Sequence, residues 1–332
     1  MARALITGGT GFLGQALARR LKRSGREVTV FGRNEAVGAA LEREGIRFVR
    51  GRLQDPESVM AACAGQEVVF HCGALSSPWG RYRDFYESNV IGTKHVIQAC
   101  FKHNIRRLIH VSTPSLLFRY NEGLDVSEEA PLPKRFANHY AKTKFLAEQL
   151  ADRAFRDGLP VITIRPRALF GPGDTTIIPR LIEANRRRFI PLMNEGKVWV
   201  DLTYVENAVD ALLLCEEAPE SCLGRKYHIT NGEPVLLIDV LRRLFEKLDQ
   251  PLRTKPVSYR TAFYAAWAME GIARCLPWMK EPPFTRYTVS VLGKSQTLNI
   301  DRARRELGYA PRISVAEGVD RYVEWYRNQG EM

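Results

Sequence analysis

The chain has 332 residues, enough to bury a large core and most economically read as one large domain with a smaller one attached. Its 49 Lys and Arg against 37 Asp and Glu leave a net charge of +12, which admits a polyanion, an anionic membrane surface or a phosphorylated cofactor as partner. The basic residues are dispersed, with short runs only at Arg186 to Arg188 and Arg302 to Arg305, and neither an aromatic-interleaved basic motif nor zinc-finger spacing accompanies them, so nucleic acid is set aside. The six cysteines (Cys63, Cys72, Cys100, Cys215, Cys222, Cys275) form no C-x-x-C pair. Reduced core thiols, no metal site and a cytoplasmic setting are therefore expected. Arg3 to Thr7 already reads as a strand, so no signal peptide is expected. The apolar stretch Ala262 to Met269 is cut by Glu270 and Arg274 and is too short to span a bilayer.

In chain order, β-branched runs at Arg3 to Thr7, Glu27 to Phe31, Arg47 to Arg50, Glu67 to His71, Arg107 to Ser112 and Val161 to Arg165 predict strands. Helical patterns fall between them at Phe12 to Ser24, Asn34 to Glu44, Pro56 to Cys63, Asp84 to His103 and His139 to Phe155. This alternation predicts an α/β protein, a doubly wound parallel sheet of the Rossmann type covered on both faces. After Pro166 the rhythm breaks at the turn cluster Gly171 to Asp174, with a helix near Ile177 to Arg188 and then short elements and Pro-rich joints. The reading is a dinucleotide-binding domain over 1–170, with returning elements from about 198–230, and a smaller substrate-binding lobe over 171–332.

The first strand runs straight into Gly8-Gly9-Thr10-Gly11-Phe12-Leu13-Gly14. Gly8 permits the tight bend, Gly11 lets backbone N–H groups approach a pyrophosphate, and Gly14 lets helix and strand pack closely. Phosphates are then expected at the helix N-terminus, where unpaired donors and the helix dipole favour negative charge. The second strand ends Val30-Phe31-Gly32-Arg33-Asn34, with no carboxylate for a ribose 2′-hydroxyl and with Arg33 as a bidentate phosphate partner. NADP(H) is favoured on this ground, with NAD(H) as the alternative. Tyr140 and Lys144 are four apart on a helix and so share one face. A nearby ammonium is expected to lower the phenol into the range of a usable acid/base. The strand end Val111-Ser112-Thr113 opens toward the same cleft, where a hydroxyl orients a substrate carbonyl.

With these residues the chain resembles the extended short-chain dehydrogenases/reductases, and within them the 3β-hydroxysteroid dehydrogenase-like branch. The glycine motif, Asn89 to Thr93, Val111 to Leu116, Tyr140 to Lys144, Arg165 to Asp174, Ile229 to Pro234, Glu281 to Arg286, and Leu307 to Tyr309 with Pro311 carry the resemblance over nearly the full length. It implies Tyr140 as acid/base, Lys144 as ribose binder and tuner of the tyrosine, and Thr113 beside the carbonyl, with Ser112 and Ser115 as neighbouring hydroxyls. It implies a cofactor held by Gly8, Thr10, Gly11, Phe12, Leu13, Gly14, Arg33, Leu53, Gly73, Ala74, Tyr140, Lys144 and Pro166, and Asn89 bracing the strand-helix corner. Two departures stand out: Gly51-Arg52-Leu53 lacks the aspartate that meets adenine in relatives, and Cys72-Gly73-Ala74 replaces Ala-Ala after the fourth strand.

The expected reaction is reversible hydride transfer between a ketone and a secondary alcohol on a hydrophobic substrate, a 2-alkyl-3-oxoalkanoate or a 3β-hydroxysteroid. The alternative is a nucleotide-sugar epimerase. Pro114-Ser115 stands where dehydratases carry an Asp-Glu pair, and Gly32 stands where an NAD-holding carboxylate is expected. A non-enzymatic sensor or scaffold is disfavoured because such proteins lose the tyrosine or lysine. Tyr259 to Met279, aromatic and small-apolar, suits a greasy substrate channel, a peripheral membrane or enzyme-complex contact, or a homodimer seam, against plain core packing. Arg167, Arg180 and Arg186 to Arg188 are read as solvated faces or as partners of a substrate carboxylate or phosphate.

Overall fold

Apolar, β-branched runs make strands buried on both faces. In the computed structural model, which describes residues 3–275 and 282–330, these are β1 (Ala4–Thr7), β2 (Val28–Gly32), β3 (Arg47–Arg50), β4 (Val68–His71) and β5 (Arg107–Val111). Between them lie α1 (Phe12–Arg23), α2 (Glu35–Arg43), α3 (Pro56–Cys63), and α4 (Tyr82–Phe85) running through a π-helical stretch, Tyr86–Ile91, into α5 (Gly92–Lys102). β6 (Gly123–Val126), α6 (His139–Arg156) and β7 (Val161–Pro166) follow. Beyond β7 come β8 (Leu169–Phe170), α7 (Ile178–Arg187), β9 (Ile190–Leu192), β10 (Trp199–Val200), β11 (Thr203–Tyr204), α8 (Val205–Glu217) and β12 (Lys226–Ile229). The chain closes with β13 (Val235–Leu236), α9 (Leu237–Lys247), β14 (Thr254–Pro256), α10 (Tyr259–Cys275), α11 (Arg286–Gly293), β15 (Gln296–Leu298), α12 (Asp301–Leu307) and α13 (Val315–Gly330).

The main sheet has seven strands in the order β12-β7-β5-β4-β1-β2-β3, all parallel. The strand order reverses between β1 and β4, which opens a crevice at their carboxyl ends. All six strands predicted from sequence are present. The seventh, β12, pairs with β7 from Lys226↔Thr163 to Ile229↔Pro166 after an excursion of the chain.

A second, mixed sheet has the order β13-β10-β15-β6. Two of its strands depart from a division by chain position. β6 lies inside 1–170 yet pairs with β15, with Gly123 N–H donating to Ser295 O at 3.0 Å. β10 lies in the stretch expected to return to the main sheet, yet joins β13 and β15. Both strands are too short to carry a pattern that names their partners.

One core lies on each face of the main sheet, around Ile6, Leu17, Val30 and Leu212 on one side and Leu5, Val69, Val96 and Leu108 on the other. A third, around Ile182, Leu241, Phe245 and Val319, fills the C-terminal part. α10 packs only one face: Ala266, Glu270 and Ala273 are buried, whereas Tyr264 is 67% and Trp267 60% exposed. Plain core packing thus accounts for half of that helix. Leu276 to Met279 of the apolar stretch, and Glu281 of the motif before α11, lie outside the described residues. Among the described residues no helix is long and apolar enough to cross a membrane, no cluster of metal-ligating side chains occurs, and the cysteines are free thiols.

Candidate active site

The glycine turn folds as its spacing requires. Gly8 takes φ +67°, and a Cβ there would stand 2.6 Å from Gly73 Cα, so the two loops at the head of the crevice approach too closely for a side chain at Gly8. A Cβ on Gly14 would stand 2.7 Å from Gly9 Cα. Gly11 begins α1 without a side-chain cap, and no acidic residue occupies the first turn. The N-terminal N–H groups of α1 therefore meet no competing side-chain acceptor, and the cradle fits a pyrophosphate. Phe12 packs against Gly173, while Leu13 is buried in the core under the turn.

At the carboxyl ends of β4 and β5 stands a cluster of hydroxyls. Asn138 caps α6 by accepting the Ala141 N–H at 2.8 Å, which puts Tyr140 in the first turn and Lys144 one turn on. Burial raises the Tyr140 phenol above its ordinary range, and hydrogen bonds from Ser76 and Thr113 pull it partly back, with Tyr287 pushing upward. The expectation that the Lys144 ammonium does the lowering is corrected: neutral hydroxyls do it, and burial outweighs them. Lys144 is itself 2% exposed and donates from Nζ to Val111 O at 2.7 Å. Burial pushes it down to about 8, against Glu148 and Cys72, which pull it up. Thr113 accepts the Ser115 N–H at 3.2 Å, its hydroxyl lies 3.0 Å from Ser115 Oγ, and Ser115 Oγ lies 2.9 Å from the Tyr287 hydroxyl. Ser76 and Tyr287 are the members that sequence reading missed. Nothing in the spacing marks them, because one sits in a loop after β4 and the other on α11. Ser112, named beside Thr113, is buried with its hydroxyl unpartnered.

Beneath this cluster a hydrogen-bonded chain ties the strand ends together. Gly73 N–H donates to Thr7 Oγ1 at 3.4 Å, Thr7 O–H to His71 Nδ1 at 2.7 Å, His71 Nε2–H to Thr93 Oγ1 at 2.9 Å, and Thr93 O–H to Asn89 O at 2.6 Å. The direction follows from Thr93, whose single proton goes to Asn89 and leaves it an acceptor for the ring. Asn89 then accepts the Leu75 N–H at 2.7 Å and donates to Leu75 O and to Thr143 Oγ1, each at 3.1 Å, bracing the Gly73-Ala74-Leu75 loop against α6.

Burial holds the His71 and His228 imidazoles down to about 3, and His110 well below its ordinary value. These groups are neutral in the fold but take up protons once unfolded below about pH 6.5. Each therefore makes stability fall by about 1.4 kcal/mol for every pH unit between about 6.5 and the folded value. The urea midpoint should drop between pH 7 and pH 5; a midpoint unchanged over that range would show that these rings charge without cost.

At the other end of the crevice, a Cβ at position 32 would stand 2.5 Å from Thr10 Oγ1, so Thr10 occupies the space a carboxylate would need. Arg33 follows, exposed. Gly51 N–H donates to Gly32 O at 3.0 Å, which brings the exposed Arg52 into the loop beside Arg33. Leu53 fills the floor, its side chain against Gly73 and Gly92. Pro166 ends β7 opposite Ile229.

Several arginines are engaged elsewhere. Arg167 donates to Gln296 Oε1 at 2.8 Å, and Arg186 and Arg187 both pair with Glu183 on the surface. Arg165 forms a buried two-pronged pair with Glu148, at 2.8 Å from Nε and 2.6 Å from Nη2. Above the hydroxyl cluster the wall is aromatic: the Phe118 ring lies 4.8 Å from Tyr287 and 5.5 Å from Tyr120, which in turn lies 5.5 Å from Phe263 of α10.

A parallel doubly wound sheet, a glycine cradle at its switch point and a tyrosine-lysine helix beside it define a nicotinamide-dinucleotide-dependent oxidoreductase acting on a CH–OH or keto group. The chain belongs to the NAD dependent epimerase/dehydratase family, whose model matches residues 4–230. It is 39% identical over 323 residues to a 2-alkyl-3-oxoalkanoate reductase of Stenotrophomonas maltophilia, covering 96% of this chain and 97% of that protein. It is 31% identical over 335 residues to the mouse (Mus musculus) decarboxylating sterol-4-alpha-carboxylate 3-dehydrogenase, covering 97% and 90% respectively. Among solved structures it resembles MoeE5 in complex with UDP-glucuronic acid and NAD, with a TM-score of 0.76, 25% identity, and coverage of 98% and 99%.

Proposed function

We propose that this chain is an NADP(H)-preferring reductase that interconverts a ketone and a secondary alcohol on a bulky, apolar 3-oxo acid or a closely related 3-hydroxy acid. The observation that carries the reading is the Tyr140 phenol, held by Ser76 and Thr113 under the aromatic wall of Phe118, Tyr120 and Tyr287. The two relatives named above support the substrate class. Both names place the reacting carbon next to a carbon that bears a carboxyl group, within a large apolar skeleton.

A bound nicotinamide dinucleotide supplies the hydride in this family's chemistry. Gly8, Thr10, Gly11, Phe12, Leu13 and Gly14 would hold the pyrophosphate, Leu53, Gly73, Ala74 and Pro166 would line the adenosine and nicotinamide positions, and Lys144 would meet the ribose. Tyr140 is the acid. Its phenol keeps its proton through neutral pH because burial raises it, so it protonates the nascent alcohol oxygen during reduction. Thr113 donates a second hydrogen bond to that oxygen. Arg33, with Arg52 in the adjoining loop, supports a 2′-phosphate, and the Thr10 side chain at Gly32 disfavours the carboxylate that an NAD site uses.

The test is a panel that follows NADPH and NADH oxidation with 2-alkyl-3-oxo acids, ketosteroids and nucleotide sugars. Turnover of the first class with NADPH is expected; no NAD(P)H oxidation with any class, together with a redox-neutral conversion of a nucleotide sugar to its epimer seen by chromatography, would replace this reading by the epimerase one. In the same assay Arg33→Ala should raise the KM for NADPH by about ten- to a hundredfold, the worth of a charged hydrogen bond, with NADH unchanged. Equal use of both cofactors by the parent protein would sink the NADP(H) assignment.

A further inference from the structure

We propose that the outward face of α10 is a membrane-docking surface, which sets Tyr264, Trp267 and Ile272 into the headgroup boundary of a bilayer rich in anionic lipid. The docking rests on the surface itself; that it supplies substrate to the active site rests on the reductase reading above.

An ordinary surface helix turns its apolar stripe to the core and its polar residues to water. α10 carries a second apolar stripe on the wrong side. Ala266, Glu270 and Ala273 face inward and are buried. The outward positions Tyr264, Trp267, Ala268, Gly271 and Ile272 follow the i, i+3, i+4, i+7, i+8 spacing of one continuous stripe, and all five are exposed. Among the described residues four large apolar side chains are more than half exposed: Leu124, and Tyr264, Trp267 and Ile272 of this helix. Scattered singly such residues need no explanation, but gathered on one face they mark a contact.

The charge on this face selects the occupant. Arg260, Trp267 and Arg274 are seven apart, so the two arginines flank the tryptophan about two turns before and after it. Both are exposed. The one acidic residue of α10, Glu270, is turned inward, where it accepts the Arg286 backbone N–H at 2.7 Å and its Nε–H at 2.9 Å. No carboxylate of the helix therefore faces out, and β14, directly upstream, adds the exposed Lys255. A second copy seated here by a two-fold axis would set the same arginines against each other. An anionic lipid surface instead attracts them, and tyrosine and tryptophan are the side chains whose apolar rings and polar edges suit the headgroup level. The helix is not apolar all round and is too polar to cross a membrane, so it would lie in the interface plane. Phe263 of the same helix stands 5.5 Å from Tyr120, so α10 joins this surface to the aromatic wall of the site.

The test is co-sedimentation of the full chain, without substrate, with vesicles of phosphatidylglycerol and phosphatidylethanolamine, set against vesicles of phosphatidylcholine. Binding to the anionic vesicles is expected, about tenfold or more weaker with phosphatidylcholine and weakened by added salt. Trp267→Ala should lower the partition by about tenfold, the worth of one large apolar side chain withdrawn from lipid. Arg260→Gln combined with Arg274→Gln should lower it by about twentyfold, near fivefold for each charge. The two variants act through different forces, and their circular dichroism and dinucleotide binding should match the parent's. Absence of binding to anionic vesicles would leave the face to a protein partner and overturn the proposal. Equal binding to both lipids, or binding that neither variant weakens, would overturn it too, as would a lipid-free dimer that Trp267→Ala dissociates. A last arm separates docking from the reductase reading. Trp267→Ala should reduce a short, water-soluble 3-oxo acid at the parent's rate and lose about tenfold on a long-chain one presented in vesicles; an unchanged rate on the latter refutes supply from lipid. If the parent reduces neither, the reductase reading falls and the sedimentation still decides the docking.

Discussion

Tyr140→Phe is expected to lower ketone reduction by about 10²–10⁴-fold, the usual contribution of a positioned general acid, while binding of the dinucleotide changes little. The substitution keeps the ring, the cap of α6 by Asn138 and the Lys144–Val111 contact, and deletes only the proton donor. The phenol is raised by burial and so is protonated at neutral pH, as reduction requires. Reduction should therefore hold its rate from neutral into alkaline pH and fall only as the phenol ionises, whereas the reverse oxidation should rise over the same range. Steady-state rates in both directions across that pH range, with cofactor affinity read by fluorescence, check both statements. Activity near the wild-type level in Tyr140→Phe would remove the proposed mechanism.

Glu148→Ala is expected to destabilise the protein by about 3–5 kcal/mol, because it leaves the Arg165 guanidinium buried and unpaired. Both side chains are nearly fully enclosed, at 3% and 5% exposure, and Arg165 Nη1 already has no partner. Such a loss is large beside the total stability of about 5–15 kcal/mol typical of a folded protein. The pair clamps α6 to β7 one turn beyond Lys144, so its loss also reaches the site: without the carboxylate that pulls Lys144 up, the ammonium drops further below about 8 and carries less charge at neutral pH. Replacing both partners by apolar residues of similar size should restore most of the stability without restoring the charge on Lys144. Denaturant midpoints of the two variants measure this; a single variant within 1 kcal/mol of the parent, the reach of an exposed pair, would mean that water reaches Arg165.

The alternating pattern of the first half was sufficient to place six strands, their helices and the glycine turn, because each depends on residues close together in the chain. Period, turn chemistry and the Tyr-x-x-x-Lys spacing are local quantities that the polymer carries with it. Gly32 and Arg33 were legible for the same reason. What the tertiary structure alone decided is which distant groups meet. It joined β6 to β15 and β10 to β13, and it set Thr10 against Gly32. Pairing of short strands and the space beside a glycine are settled by the whole core, not by their own letters. It likewise replaced an ammonium by Ser76 and Thr113 as the groups that lower Tyr140, since burial and hydrogen-bond partners come from packing. And it brought Tyr287, from α11, to a serine 172 positions earlier in the chain, through a contact that no sequence spacing encodes.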